Sequence, residues 1–500
     1  MVRAREVERM LRVMKFGGTS VGSVDAVRQV TQILADAYRQ GDRVAAVVSA
    51  MSGVTNQLLE AAAQAAAGND QAHTQLRQAL IERHRDTATA LLTDSQRQHE
   101  TIAQITALAD RCSRLVESVH VLGHLSRRAE DWIASFGERM AAVLVAAALN
   151  QAGIPAEPVE SDQIIVTDDQ FGNASPLLDV TRERAHSILV PLLERGMLPV
   201  VTGYFGATLN GAVTTLGRGG SDYSAAILGY ALDADEVWIW TDVDGVMTAD
   251  PRLVPEARTL PAISYAEAAE LAYFGAKVIH PRTMQPAASR GIPIWIKNTF
   301  NPDHPGTRIG PETVPNGSVV KAITAIPGIS VITVEGSSFL SVADVTARVF
   351  EAVAKTGANV YMIFQASSQH SLGFAVRQHE AAMVHAALTR EFELDLHKGL
   401  IARISEDSQL AIVAVVGAGM KGTPGVAGRV FNTLGQAGIN IVAIAQGSSE
   451  LNISFVIAEH EVARAVPAIH AAFGLASVPD STHGTGITEP ATRSAVAPGN

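Results

Sequence analysis

Hydrophobic and polar positions near the start of the chain alternate between two spacings. A short apolar run at 12–16 precedes a glycine-rich loop, and apolar residues then recur every three or four positions from Val24. That spacing predicts an amphipathic helix, for which Ser23 is a suitable N-cap and Gly41 a suitable stop. The continuous apolar run at 44–49 predicts a second, buried strand. Strand, helix and buried strand form a βαβ unit, so the pattern predicts a parallel sheet flanked by helices.

The same alternation continues beyond the middle of the chain. After a helical stretch rich in Ala and Gln at 57–150, further strand candidates lie at 164–167, 197–202, 237–241 and 292–297. Ser264 and Glu267 are spaced as a capping box, which predicts that a helix begins there. Proline and glycine cluster at 301–317 and predict a domain boundary. The predicted fold class is therefore α/β, with an N-terminal extension at 1–11 and one large domain at 12–318.

An internal repeat follows the large domain. The corresponding residues lie 81 positions apart and pair Arg348, Phe350, Gly357, Asn359, Gln365 and Phe374 with Arg429, Phe431, Gly438, Asn440, Gln446 and Phe455. Each copy predicts a strand, a helix and two further strands. The repeat therefore predicts two small α/β modules, at 319–400 and 401–475, with strand exchange between them left open. Few apolar residues follow Phe473, which predicts a disordered tail at 476–500.

Composition and charge remove several function classes. The net charge is −11 and no long basic run occurs, which argues against nucleic-acid binding. The single cysteine, Cys112, excludes an internal disulfide and fits a reducing cytoplasm. The first fourteen residues contain no apolar run long enough for a signal peptide or a membrane helix. We therefore expect a cytoplasmic protein that binds neither nucleic acid nor membrane.

Two glycine-rich loops carry candidate chemistry. Lys15-Phe-Gly-Gly-Thr-Ser20 joins a strand to a helix, where backbone N–H groups can converge on an anion beside the lysine. A tight turn with a solvated lysine would give the same pattern, and the segment does not match a P-loop. Gly217-Arg-Gly-Gly-Ser-Asp222 precedes a second helix. Arg218 offers a fork for a carboxylate, and Asp222 could orient Lys15 or help to hold a metal. Two such loops indicate a nucleotide and a second anionic partner.

A third candidate is the acidic segment 241–252, which begins at the end of an apolar strand, where open parallel sheets place ligands. An acidic turn is the alternative interpretation. The segment lacks the distal glutamate of a calcium loop. Lys277, in Phe274-Gly-Ala-Lys277, either reaches a phosphate or is solvated.

Taken together, segments 15–20, 217–225, 241–252 and 274–281 resemble aspartate kinase, of the amino acid kinase superfamily. The sequences of segments 270–277 and 439–450 are most similar to the kinase half of bifunctional aspartokinase-homoserine dehydrogenases. We expect no dehydrogenase part, because the chain ends where that part would begin. The repeat is similar to the paired βαββαβ ACT regulatory modules of that family. The resemblance implies an amino-acid kinase domain with an open, mostly parallel sheet between helices. It also implies ATP-dependent phosphorylation of the side-chain carboxylate of L-aspartate to 4-phospho-L-aspartate, the first step of aspartate-family amino acid biosynthesis, with ATP and Mg²⁺ as cofactors.

The resemblance also implies roles for individual residues. Lys15 and Asp222 would be the catalytic pair. ATP would be bound by Lys15, Gly17, Gly18, Thr241, Asp242, Met247, Arg252 and Lys277. Aspartate would be bound by Ser49, Thr55, Glu138, Arg218, Gly219, Gly220 and Ser221. An amino-acid effector would contact Gln365, Asn440, Ile441 and Gln446. No side chain is assigned as a metal ligand, and Met247 stands where the family commonly has tyrosine.

Elementary chemistry explains why this set contains no general base. The aspartate side chain has a pKa of about 3.9 and is already an ionised nucleophile at neutral pH. The barrier is electrostatic, so Lys15, Lys277, loop amides and Mg²⁺ would offset the repulsion between a carboxylate and a polyphosphate. Arg218 would hold the α-carboxylate of aspartate and Glu138 its α-ammonium.

Regulation and oligomerisation follow from the resemblance as expectations. We expect the effector to be threonine rather than lysine. We also expect the modules to join copies of the chain in a homo-oligomer. Ser337-Ser-Phe-Leu stands in the first copy where the second has Ala418-Gly-Met-Lys, so the two effector sites need not be equivalent.

Three rival functions stay open at this point. Gly417-Ala-Gly-Met-Lys-Gly422 follows a strand candidate, as a dinucleotide fingerprint would, and would favour a dehydrogenase. No acidic residue for a ribose ends the next strand, which weakens that interpretation. A non-catalytic amino-acid sensor would leave the loops at Lys15 and Asp222 unexplained. A kinase for glutamate or another acid is the nearest rival.

Overall fold

Strands and helices alternate through the large domain. Its strands are β1 (Leu11–Phe16), β2 (Arg43–Val48), β3 (Ala156–Val159), β4 (Val166–Thr167), β5 (Leu198–Thr202), β6 (Phe205–Thr208), β7 (Val213–Thr215), β8 (Glu236–Thr241), β9 (Ala262–Ser264), β10 (Ile294–Asn298) and β11 (Thr307–Gly310). Its helices are α1 (Val24–Arg39), α2 (Val54–Ala66), α3 (Ala72–Leu91), α4 (Ser95–Leu122), α5 (Arg127–Ala134), α6 (Phe136–Gln151), α7 (Leu178–Glu194), α8 (Gly220–Ala231), α9 (Tyr265–Tyr273) and α10 (Pro281–Ser289). The computed structural model describes residues 9–276, 279–311, 319–336, 341–366 and 371–477. The predicted tail lies largely outside this range, and most of the predicted extension lies outside it too.

The main sheet has the strand order β3-β5-β2-β1-β8-β10-β11-β9, and the strands from β3 to β10 are parallel neighbours. The predicted mostly parallel α/β fold is therefore confirmed. Alternate residues of β1 enter two different cores: Val13 packs on one face of the sheet, and Met14 and Phe16 pack on the other. Both faces are covered, which explains why β2 is apolar almost throughout.

Local sequence signals set several helix ends. The Ser23 side chain accepts a hydrogen bond from Ala26 N at the start of α1, as predicted. Ser264 and Glu267 form both hydrogen bonds of the capping box at the start of α9. One stretch of the described chain, Arg127–Gln151, is long and apolar enough to span a membrane, but 89% of its apolar window is buried inside the protein, as in a core helix.

A second sheet forms the C-terminal part of the described chain. Its elements are β12 (Ala322–Gly336), α11 (Val342–Thr356), β13 (Met362–Ala366), β14 (Ser371–Arg377), α12 (Gln378–Glu391), α13 (Glu393–His397), β15 (Ile401–Val416), α14 (Val426–Gln436), β16 (Ala443–Ala445), β17 (Asn452–Ala458) and α15 (Val462–Ala472). The strand order is β13-β14-β12-β15-β17-β16. The long strands β12 and β15 pair along both halves of the repeat, so each of them contributes to both modules. The module boundaries proposed from the sequence stay predictions.

Candidate active site

The C-terminal ends of the central parallel strands meet at one edge of the main sheet. Loops 17–22 and 49–53 follow β1 and β2, and a long segment that we call the acidic loop, residues 242–258, follows β8. Ser49 N donates to Phe16 O at 3.1 Å, and Ser52 N donates to Gly18 O at 3.2 Å, which ties the first two loops together. The structure thus collects the sequence-predicted loops where open parallel sheets place ligands.

Lys15 and Asp222 form an ion pair at this edge. Lys15 is the last residue but one of β1 and is 8% exposed, whereas Asp222 lies in the first turn of α8. A Cβ placed on Gly17 would lie 3.5 Å from Lys15 Nζ, so the ammonium stands directly over the glycine loop. The two residues predicted as a catalytic pair are therefore in contact, 207 positions apart in sequence (222 minus 15).

The backbone conformation of the second loop explains why glycine occupies several of its positions. Gly217 and Gly219 have φ values of +77° and +71°, in the left-handed region that glycine adopts without a Cβ clash. A Cβ on Gly220 would lie 2.7 Å from the ring of Tyr204. Tyr204 itself has a φ of +75° and accepts a hydrogen bond from Leu216 N through its carbonyl. No sequence pattern predicted this left-handed residue, whose carbonyl is bonded directly before the glycine loop.

Glu138 has a buried carboxyl group beside loop 49–53. It is 3% exposed, and its Oε1 accepts a hydrogen bond from Ala50 N at 3.1 Å. Gly137 makes this approach possible, because a Cβ there would lie 2.6 Å from the Ala50 side chain. Burial raises the pKa of Glu138 to about 8. Its Oε2 is buried without a hydrogen-bond partner among the described residues. A buried acceptor without a donor indicates a place for a ligand that donates.

The acidic loop is held between the large domain and the second module. Thr248 is fully buried; its Oγ1 lies 2.9 Å from His470 Nε2 on α15, and its carbonyl accepts from Ile323 N at 2.8 Å. Ala249 and Val254 pack into the apolar core of the second module. Burial lowers the pKa of His470, which favours a neutral imidazole in this contact.

Hydrogen bonds that sequence patterns did not reveal join the loops around β8. Ser20 and Thr299, both fully buried, share a hydrogen bond of 2.7 Å between their hydroxyls. Thr299 N donates to Thr241 O at 2.9 Å. Asp244 accepts from Asn298 Nδ2 at 2.8 Å. The sequence contains one signal for these hydrogen bonds, the polar residues at the end of the strand that closes with Asn298. Their spacing does not specify which residues they bind.

The other predicted ligands differ in exposure, and one of them lies outside the described residues. Arg218 is exposed. Arg252 is exposed and forms an ion pair with Asp250 at 2.6 Å. Met247 is half-buried and accepts a weak hydrogen bond from Thr259 Oγ1, 3.4 Å from its Sδ. Lys277 lies outside the described residues. Thr55, in the first turn of α2, and Thr241, at the end of β8, are half-buried at the same edge of the sheet.

The sequence matches known families over most of its length. A model of the amino acid kinase family matches residues 10–298, and a model of the ACT domain matches residues 332–392 and 413–473. Aspartokinase 3 of Arabidopsis thaliana is 33% identical over 480 residues, which cover 92% of this chain and 81% of that protein. The chain belongs to the aspartokinases of the amino acid kinase family. The resemblance found in its motifs is confirmed.

This aspartokinase-family chain is also similar to a longer bifunctional protein and to a solved aspartokinase structure. It spans about half the length of the bifunctional aspartokinase/homoserine dehydrogenase of Daucus carota, with 35% identity over 497 residues that cover 96% of this chain and 52% of that protein. E. coli aspartokinase III, solved in complex with aspartate and ADP, has a TM-score of 0.75 and 29% identity, covering 93% of this chain and 100% of that chain. The same E. coli protein was also solved in complex with lysine and aspartate.

The ACT modules carry the predicted effector residues on their surface. Gln365, Asn440 and Gln446 are exposed, and Ile441 packs partly against the core of the second module. The strand before Gly417 pairs in antiparallel fashion with both neighbours, β12 and β17. A dinucleotide fingerprint requires a parallel βαβ unit, so the structure does not support the dehydrogenase interpretation of 417–422.

Proposed function

We propose that this chain transfers the γ-phosphoryl group of ATP to the side-chain carboxylate of L-aspartate. The observation that carries the proposal is the contact between Lys15 and Asp222 over a glycine loop, at the same sheet edge as the buried, unpaired carboxylate of Glu138. One part of this edge suits a polyphosphate, and the other suits an amino acid.

The cationic part of the site reduces the repulsion between the aspartate carboxylate and the phosphates of ATP. A carboxylate oxygen of aspartate forms a bond to the γ-phosphorus, the bond from that phosphorus to the bridging oxygen breaks, and ADP leaves. Lys15 stands over the glycine loop, where its ammonium and the backbone N–H groups of Gly17 and Gly18 offset charge on the phosphates. Asp222 holds that ammonium in position through their ion pair.

Nucleotide binding extends from this pair along the neighbouring loops. Thr241 ends β8, and Asp242 and Met247 lie on the acidic loop that follows it. Arg252 and Lys277 are further candidates by family resemblance. Mg²⁺ commonly keeps several waters and is bound by one or two carboxylates together with the phosphates. Asp222 would be one such carboxylate. The metal would supply charge neutralisation at the phosphate oxygens.

Glu138 gives the site its selectivity for an amino acid. The buried Oε2 is positioned to accept a hydrogen bond from the α-ammonium, with Ser49 and Thr55 on the adjoining loop and helix. Arg218 and the following residues Gly219, Gly220 and Ser221 would hold the α-carboxylate. The β-carboxylate is then left facing the phosphate.

An assay across several acids tests the proposal. With ATP and Mg²⁺, we expect L-aspartate to yield an acyl phosphate that hydroxylamine traps as a hydroxamate, at a kcat/KM at least about 100-fold above that for L-glutamate. The extra methylene of glutamate would displace its carboxylate from the phosphate while Glu138 and Arg218 hold the other groups. Equal activity on glutamate would favour the rival acid kinase. ATP binding without hydroxamate from any acid would contradict a kinase function.

We further propose that an amino-acid effector, threonine rather than lysine, binds at Gln446 and Gln365 and inhibits the enzyme. The two-copy ACT match and the exposure of both glutamines support this proposal. Gln446→Ala is expected to raise the threonine concentration for half-inhibition about tenfold, because one hydrogen-bonding side chain is lost. Gln365→Ala is the matched variant in the other copy, and equal effects would contradict non-equivalent sites. No inhibition of the parent by threonine, lysine or both would overturn the regulatory proposal.

Homo-oligomerisation through the modules and a cytoplasmic location belong to the same proposal. The outer strands of the second sheet, β13 and β16, expose Ile363 by 50% and Ile444 by 47%. Exposed apolar residues on the edge strands of a sheet are typical of surfaces that pair with another chain.

A further inference from the structure

Glu267 joins three separate parts of the fold. It is fully buried at the start of α9, and its Oε2 lies 2.9 Å from Lys321 Nζ, which precedes β12. Its Oε1 accepts from Ala418 N of the second module at 2.7 Å. Ser264 donates to Oε2 from both its backbone and its hydroxyl, at 2.8 and 3.0 Å. Burial alone would raise the pKa of Glu267, but these hydrogen bonds and the lysine lower it below its ordinary value, so the side chain is a carboxylate.

The same stripe of α9 contacts both modules. Glu270 accepts a hydrogen bond from Asn452 of the second module, and Tyr273 donates to Val360 O of the first at 3.0 Å. Residues three apart lie on one side of a helix, so Glu267, Glu270 and Tyr273 form a continuous polar seam. Helix α9 is therefore held by the modules along its whole length.

The end of α9 is pressed against β12 as well. Thr324 Oγ1 donates to Phe274 O at 2.9 Å. Gly275 has a φ of +102°, and a Cβ there would lie 3.1 Å from Ile326. Phe274 and Gly275, directly after α9, are thus packed against β12 of the second sheet.

An adjoining stripe of α9 faces the acidic loop. Ala268, Leu271 and Ala272 line a small apolar cavity of about 10 Å³ with Val246, and Ile263, Ala276 and Ile279 complete its wall. This volume is at the lower limit for a single water molecule. A shift of α9 would therefore displace Val246 rather than be absorbed by empty space.

We propose that Glu267 is a positioning residue for the nucleotide: it fixes α9 between the regulatory modules and the acidic loop, and so couples the modules to ATP binding. This inference rests on the proposed function. Glu138 and loop 49–53, which would hold the α-ammonium of aspartate, lie on the opposite face of the main sheet from α9: Ala50 and Met51 pack in one core, and Ala268 and Leu271 pack in the other. Because α9 contacts the acidic loop directly through Val246, the coupling acts on ATP more strongly than on aspartate.

Glu267→Gln tests the proposal because the amide keeps the size of the side chain but removes the charge that pairs with Lys321. We expect KM for ATP to rise about tenfold and KM for aspartate to stay within about twofold of the parent. Loss of the ion pair also lowers stability, so the double variant Glu267→Gln with Lys321→Met separates the two effects. Removing the unpaired ammonium should restore the unfolding temperature, while KM for ATP stays raised.

Glu335→Gln is the matched control. Glu335 lies on β12, close in sequence to Lys321, and pairs with Arg403 at 2.8 Å within the regulatory sheet. Its substitution should leave both KM values unchanged. Equal rises in both KM values for Glu267→Gln, or a return of KM for ATP to the parental value in the double variant, would show a purely structural role.

Calorimetric titration with ADP separates this inference from the proposed function. If the parent binds ADP but phosphorylates none of the acids, the proposed function fails, yet the ADP affinities still test Glu267. An unchanged ADP affinity in Glu267→Gln would overturn the inference even if aspartate is phosphorylated. We expect ADP binding to weaken about tenfold.

Discussion

Replacing Lys15 with alanine or methionine is expected to lower kcat for aspartate phosphorylation by about 100- to 1,000-fold. The ammonium is nearly buried over the glycine loop and is held by Asp222, so it contributes charge without having to reorganise during the transfer. Aspartate binding depends on other side chains, and its affinity, measured by calorimetry, should change less than about threefold. Asp222→Ala is expected to act in the same direction, because it releases the lysine.

Lys297→Met provides a matched control for Lys15→Met. Lys297 lies near the end of β10 in the same sheet, but its ammonium stacks on Trp238 at 5.1 Å and donates to Pro305 O at 3.1 Å on the other face. We expect kcat close to that of the parent. Undiminished turnover in either Lys15 or Asp222 variants would remove these residues from the catalytic role.

Replacing Glu138 with glutamine is expected to raise KM for aspartate about 100-fold, while kcat at saturating aspartate changes much less. The carboxylate is buried, and its free oxygen is available for the substrate ammonium. An amide keeps the shape and the contact with Ala50 but loses the charge that the ammonium requires. Steady-state kinetics with varied aspartate at saturating ATP measure the effect. Glu130→Gln, which changes an ion pair with Arg127 on the surface of α5, is the control.

The same residue predicts a pH dependence. In the empty site the pKa of Glu138 is about 8, so the carboxyl is mostly protonated at pH 7 and must ionise to bind the ammonium. KM for aspartate should therefore fall by up to about tenfold per pH unit as pH rises toward 8, and Glu138→Gln should lack this dependence. A KM that is flat between pH 6 and 8 in the parent would contradict the assignment.

Stability should vary in the opposite direction. A carboxyl whose pKa is raised in the folded state binds its proton more tightly there than in the unfolded chain, so folding weakens as pH rises from 4.5 toward 8. The loss amounts to about 3 kcal/mol at pH 7 and should be absent in Glu138→Gln. Denaturant unfolding at several pH values measures it.

Short-range sequence patterns were sufficient to predict the helices and strands that surround the site. The change of period from β1 through α1 to β2, the cap at Ser23 and the capping box at Ser264 all act within a few residues, so they are visible in the sequence and reappear in the structure. The glycine loops at Gly17 and Gly217 were visible for the same reason. The repeat likewise predicted the strand, helix and two further strands with which each module begins, but not the helices α12 and α15 that follow them.

Contacts between distant segments decided the rest. Ser20 meets Thr299 across 279 positions, and Thr248 meets His470 across 222, and no local spacing specifies either partner. The protonation of Glu138 also depends on the tertiary structure, because its raised pKa comes from burial against α2 and loop 49–53 rather than from its neighbours in sequence.

The sequence by itself determined the α/β architecture, the family and the residues at the phosphate loop, since hydrophobic period, caps and glycine positions are local properties of the chain. Only the tertiary structure decided that Lys15 reaches Asp222, that Glu138 keeps an unpaired oxygen, and that α9 and the acidic loop are seated on the regulatory modules. These features depend on burial and on the meeting of segments hundreds of residues apart, which arise only when the chain has folded.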